Sequence, residues 1–266
     1  MTRVIVHAGF HKTGTSSLQA YLGQHRKALA PYLAFYGKAD FINAGSYARL
    51  YAQRPFFWRR WAFRRAIRAF LNAVPAAPVI VLSRETFAGV MPGHRNWLRR
   101  TIRGYAFSAV PICRELRREI LRRFPGATVE FLFTTRERED WIHSVYGHLL
   151  RSIHLTETFD AFRARFPDLI DPAVEAQRIA AALAPSRTHI AALEDYADGH
   201  AGPGDIVLDL VGVPANVRAA LPRAGRANIG QTAAQKTAFL NLNHSGQGKT
   251  ALKHIKDTML REAREK

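Results

Sequence analysis

The strongest constraint on the fold lies at the start of the chain. There Val4-Ile5-Val6-His7 runs into Ala8-Gly9-Phe10-His11-Lys12-Thr13-Gly14-Thr15-Ser16-Ser17-Leu18-Gln19. The β-branched run reads as a strand and the two glycines as a tight loop. Leu18, Tyr21, Leu22, His25 and Leu29 then fall at spacings suited to one helical face. A strand, a loop and a helix N-terminus in that order leave backbone N–H groups unpaired at the positive end of a helix dipole. Lys12 adds a full charge, and Thr13, Thr15, Ser16 and Ser17 add hydroxyl donors. The junction is built to hold a phosphate-like group.

Residue order narrows the chemistry. A Walker A loop needs glycine, four residues, then Gly-Lys-Ser/Thr. Here Lys12 precedes Gly14, so an ordinary nucleotide triphosphatase is not supported. Lys12-Thr13-Gly14-Thr15-Ser16-Ser17 behind an apolar strand instead resembles the 5′-phosphosulfate loop of sulfotransferases that use 3′-phosphoadenylyl sulfate (PAPS).

A second stretch carries the same resemblance. Thr128 to Thr134 reads as a strand, Thr135-Arg136 leave its end, and Trp141, Val145 and Leu149 repeat every four residues along a helix. Arg136 and Ser144 stand eight residues apart, and Ser144-Val145-Tyr146-Gly147-His148 is similar to the family's Ser-x-Tyr-x-His run. Eight residues of continuous helix would separate the two Cα atoms by roughly 12 Å. One phosphate meets both groups only if Arg136 lies in the loop and folds back.

Between these motifs, Pro78 to Ser83 is a short β-branched run bounded by proline and polar residues, a buried strand followed by Arg84-Glu85-Thr86. Ligands of open α/β sheets gather outside the carboxyl ends of the strands, which places Glu85 where a catalytic group is expected. Residues 32–36 and 188–193 read as further strands, 37–56 as loop and 87–110 as irregular or short-helical. Pro111 opens a helix to about Phe124, and helices are also expected over 57–73, 178–184, 206–211 and 249–266. The aromatics of 57–73 read first as a core-facing side, with a membrane surface or an acidic polymer as the alternative.

Composition bounds the rest. At 266 residues and 47% hydrophobic content, one α/β domain spanning 1–266 is expected. It carries an arginine-rich helical insertion at about 54–123 and a basic C-terminal helix at about 249–266. The single cysteine, Cys113, rules out an internal disulfide and suits a reducing compartment. Residue 3 already belongs to the first strand, leaving no room for a signal peptide, and no apolar run is long enough to span a membrane. A cytoplasmic protein is expected, with room for peripheral contact with an anionic inner membrane face.

Net charge is +18, and sixteen arginines with no lysine fall between Arg54 and Arg123, beside only Glu85, Glu115 and Glu119. Arginine pairs bidentately with phosphate, sulfate and carboxylate, so the charge alone admits acidic glycan, lipid headgroup, nucleic acid or a membrane surface. For any single arginine the plainer reading is a solvated helix face.

The resemblance implies an α/β, P-loop-like three-layer fold with a central parallel sheet flanked by helices. It also implies transfer of a sulfuryl group from PAPS to a hydroxyl or amine, releasing adenosine 3′,5′-bisphosphate and requiring no metal. Lys12 then serves the leaving oxygen; Thr13, Gly14, Thr15, Ser16 and Ser17 hold the 5′-phosphate; Arg136 and Ser144 hold the 3′-phosphate; and Arg226, in a late loop, helps cover the adenosine. Glu85 is the expected general base, with His11 as runner-up because it sits in the loop and titrates in a suitable range. His7, His94, His143 and His148 are read as structural or solvent-facing. The expected acceptor is a glycan, a lipid-linked group or a small molecule, with the arginines favouring an anionic one, and no nucleic acid. The rivals are a P-loop kinase or other nucleotide enzyme, and a non-catalytic binder of polyanions. The sequence leaves oligomeric state open.

Overall fold

The computed structural model describes residues 1–225 and 231–265. Five strands, β1 (Arg3–His7), β2 (Ala34–Tyr36), β3 (Val79–Ser83), β4 (Thr128–Thr135) and β5 (Thr188–Ala192), form one all-parallel sheet in the order β2-β3-β1-β4-β5. Parallel neighbours need long crossovers, which the helices between the strands supply, and further helices follow β5. These are α1 (Thr15–Gln24), α2 (Arg26–Leu29), α3 (Ile42–Gln53), α4 (Phe57–Ala73), α5 (Ala106–Arg123), α6 (Arg138–Ser152), α7 (Phe159–Arg163), α8 (Pro172–Ala182), α9 (Asp205–Val211), α10 (Ala215–Ala219), α11 (Ala233–His244) and α12 (Lys249–Glu265). The expected α/β class, with a parallel sheet flanked by helices, is what the chain adopts.

Two compact units are distinguishable. The first, Met1–Glu137 with Ile170–Asn228, holds the whole sheet. Its central strand β1 is buried on both faces, as a parallel strand between helices must be. Ile5, Val81 and Leu132 meet Leu18, Tyr21 and Leu22 of α1 and Ile206, Val207 and Leu208 of α9 on one side. By the two-residue alternation Val4, Val6, Phe131 and Phe133 point to the other side, where α5 and α8 pack on β4. Across the sheet, Arg3 clasps Glu130 through Nε at 2.7 Å and Nη2 at 2.8 Å, and His189 Nε2 meets the same carboxylate at 2.6 Å. The second unit, Arg138–Leu169 with Ile229–Lys266, contains α6, α7, α11 and α12. There Asn243 Nδ2 donates to the carbonyls of Leu150 and Leu155, and the buried Lys256 ammonium donates to Leu150 O at 2.8 Å and to the Asn243 amide oxygen.

Three sequence readings need correction. Residues 37–56 are not loop: α3 occupies 42–53, burying Ala44, Ala48 and Tyr51. Gly45, inside this helix, is a packing glycine, because a Cβ there would overlap the buried Arg84 guanidinium. The helix assigned to Pro111 starts five residues earlier, at Ala106. The Glu175 carboxylate of α8 accepts from the N–H groups of Tyr105 and Ala106 and caps it from outside. Finally, α4 turns Phe63, Ile67 and Leu71 inward and leaves Phe57, Trp58 and Trp61 exposed, so those aromatics are not its core side.

The stretch 54–123 holds α4, β3 and α5, and five of its arginines pair with two buried glutamates. Arg60, Arg64 and Arg118 surround Glu115, while Arg64, Arg68 and Arg122 surround the fully buried Glu119. Hydrogen bonds from Arg68, with those of Arg122 and Arg64, hold the Glu119 carboxyl down to about 2. Glu119→Ala leaves these guanidiniums facing one another, and because they are partly exposed to water the cost is about 1–3 kcal/mol, below that of breaking a fully buried pair. The folded carboxyl titrates below the unfolded one, so its contribution is complete above the ordinary glutamate range and disappears as pH falls towards 2. Urea titrations at pH 7 and pH 3 check both points: the wild type loses more stability than the variant on acidification, and equal losses would remove Glu119 as the source.

Candidate active site

β1 and β4 are adjacent, and the chain leaves them for opposite edges of the sheet, from β1 towards β2 and from β4 towards β5. Loops diverge at such a switch point and leave a crevice at the carboxyl ends of the strands. His7, the last residue of β1, pairs with Ser83 of β3 and Leu132 of β4. The β3 loop therefore starts level with the β1 loop, and β4 continues beyond both.

The loop after β1 follows that extension. Ala8 N donates to Leu132 O at 3.0 Å and Phe10 N to Thr134 O at 3.4 Å. Gly9 is required by close approach, since a Cβ would meet the His7 ring and the Thr134 hydroxyl. Thr13 is fully buried; its hydroxyl donates to Phe10 O at 2.6 Å and lies 2.7 Å from Thr134 Oγ1. A buried hydroxyl must be satisfied, and Thr13 directs its own to the loop and to Thr134. Thr15 is buried as well, with Oγ1 3.5 Å from Phe10 O. Ser16 is exposed and Ser17 half-buried in the first turn of α1.

Two left-handed residues shape the turn, Lys12 at φ 70° and Gly14 at φ 82°. Glycine accepts this conformation freely, whereas a lysine there costs about 1–2 kcal/mol. Gly14 caps α1 with no side-chain hydrogen bond, and the first turn holds no acidic residue. A Cβ on Gly14 would come within 2.6 Å of Leu193 Cδ1. The first turn of the helix thus carries no acid of its own and begins beside a strained cationic residue, an arrangement that favours an anion.

Arg136 lies two residues beyond Thr134, outside both β4 and α6, and is half-buried. The Thr13–Thr134 contact ties the Lys12 loop to the strand end from which Arg136 departs. Ser144 belongs to the second unit, half-buried in α6. Arg226 lies outside the described residues.

At the end of β3, Ser83 Oγ is 2.7 Å from His7 Nδ1, Gln19 Nε2 of α1 donates to Ser83 O at 3.0 Å, and Arg84 N donates to His7 O at 3.0 Å. The Arg84 guanidinium runs inward to Thr86 Oγ1 and the carbonyls of Lys38 and Phe41. Glu85 opens the short 3-10 turn Glu85–Phe87 and remains half-buried.

The two candidate bases part here. Burial, reinforced by His94, Arg49 and Lys12, pushes the His11 pKa down to about 3. Its backbone N–H donates to Tyr105 OH at 3.0 Å, its Nδ1 lies 3.3 Å from the same oxygen, and the two rings stack with 5.9 Å between centroids. A ring held that far below neutrality is a weak proton acceptor at pH 7, so His11 fits a structural role better than catalysis. Burial likewise lowers His7 to about 4, between Ser83 and Thr134. Neutral in the fold but protonated when unfolded, both rings make stability fall as pH drops below the ordinary histidine value.

Tyr105, Gln19, Thr134 and Glu175 support this site without a sequence signal that marks them. Tyr105 sits in a stretch that reads as irregular, and the others are ordinary polar residues of amphipathic helices and of a strand end. Among the described residues no group of three or more histidine, cysteine or acidic side chains is placed to hold a metal ion. No protein-family model matches the sequence, and no curated protein is significantly similar to it.

Proposed function

We propose that the chain is a sulfotransferase that moves a sulfuryl group from PAPS to a hydroxyl or amine of a glycan, a glycolipid or another anionic acceptor. The observation that carries this reading is the turn at Lys12 and Gly14: a strained cation and a helix start with no acid in its first turn, at the switch point, joined through Thr13 and Thr134 to the strand that Arg136 follows. That donor set suits a 5′-phosphate, and the left-handed lysine is a cost that function explains.

When bound, PAPS supplies the sulfuryl group and a phosphate leaving group. The N–H groups at the start of α1, with the Ser16 and Ser17 hydroxyls, hold the 5′-phosphate. Lys12 balances the charge that develops on the departing bridging oxygen. Glu85 takes the proton of the acceptor hydroxyl as the new S–O bond forms. Arg136 holds the 3′-phosphate. Positioning and charge supply the rate, as in phosphoryl transfer.

Incubation with labelled PAPS against panels of glycans, lipids and small alcohols tests the activity directly, and no transfer to any acceptor class counts against it. A thermal shift with adenosine 3′,5′-bisphosphate but not with ATP and Mg²⁺ separates this reading from a kinase. Arg136→Ala should weaken adenosine 3′,5′-bisphosphate roughly 10- to 100-fold in calorimetry, the scale of a lost charged hydrogen bond. Unchanged affinity removes Arg136 from the donor site.

A further inference from the structure

We propose that the start of α4 and the hairpin at residues 94–102 form a docking surface for an anionic lipid bilayer. Phe57 is 80% exposed, Trp61 60%, and Trp58 and Trp97 50% each. At 100° per residue, Phe57, Trp58, Trp61 and Arg65 fall within a roughly 100° arc of α4. The hairpin is closed by Ile102 N donating to His94 O at 2.8 Å and Asn96 N to Arg100 O at 2.9 Å. Its tip is shaped by Asn96 Oδ1, which accepts from Leu98 N and Arg100 N, and by Arg99 in the left-handed region. That tip presents Trp97 and Leu98 to solvent.

The two segments make one surface. Phe56 stacks on Trp58 at 4.6 Å and meets Trp97 at 5.4 Å, and Trp97 N donates to Gln53 O at 3.3 Å. Exposed apolar patches of this kind mark interaction sites. Charge identifies the occupant. Arg54, Arg65, Arg95, Arg99, Arg100 and Arg103 are exposed around the aromatics, and Glu85 is the only acid between Phe41 and Arg114. Aromatic rings that seat at the headgroup level, ringed by arginines, match an anionic membrane surface.

Three of the four tryptophans lie on this patch, and Trp141 is buried, so fluorescence reads the surface without donor or acceptor present. With the full chain, vesicles of phosphatidylcholine mixed with phosphatidylglycerol should shift the emission to the blue, and brominated acyl chains should quench it. Flotation should show partitioning that falls with added salt. Trp97→Ala should lower partitioning roughly tenfold, and Arg100→Gln or Arg103→Gln about fivefold each. Absence of vesicle binding overturns the proposal, as does equal binding to pure phosphatidylcholine. Self-association abolished by Trp97→Ala, or heparin binding without a blue shift on vesicles, would assign the patch to a second copy or a soluble polyanion instead.

Discussion

Replacing Glu85 with glutamine should lower the proposed sulfuryl transfer about 10²- to 10⁴-fold, the range a general base contributes, while affinity for adenosine 3′,5′-bisphosphate should be retained. Glutamine keeps the shape of the side chain and loses only its ability to take a proton. Single-turnover rates with labelled PAPS measure the loss, and calorimetry confirms the intact donor site. Near-normal turnover in this variant would remove Glu85 as the base. His11 is a poor substitute, because burial holds its pKa near 3 and it brings no inflection near pH 6 to 7 into the rate profile. An acid limb at the ordinary histidine value, lost in His11→Ala, would reverse that assignment.

Lys12 gives the second large effect, and it runs in two directions. Lys12→Ala should lower turnover about 10²- to 10³-fold through loss of the charge at the leaving oxygen. Lys12→Gly should lower it as far and at the same time raise stability by up to about 1 kcal/mol, because glycine occupies φ 70° without strain. Urea denaturation beside turnover checks this. A glycine variant both less stable and still active would show that the lysine serves the fold and not the reaction.

Strands β1, β3 and β4 were legible because they are rich in β-branched residues and bounded by breakers, and the Lys12 loop was legible because glycine, lysine and hydroxyl spacing is a local signal. What escaped the sequence depends on contacts between distant residues. The Thr13 hydroxyl looks like a ligand donor until Thr134, 121 residues away, is found beside it. The start of α5 is fixed by Glu175, 69 residues beyond Ala106, and no cap in the local sequence announces it. The arginine run reads as a partner surface, yet five of its guanidiniums face two buried glutamates. His11 has the expected position but an environment that only the packed Tyr105 reveals.

The inward course of Arg84 has a consequence for how the candidate base is held. Its guanidinium hangs from the carbonyls of Lys38 and Phe41 and fills the space left by Gly45, so the segment leading into α3 acts as an anchor bracket for the next residue along, Glu85. If Glu85 is the base, its placement would thereby depend on a segment about forty positions upstream in the chain. A side chain introduced at position 45 would unseat the arginine and swing the carboxylate out of alignment, a long-distance defect that a map of binding residues alone would not foresee.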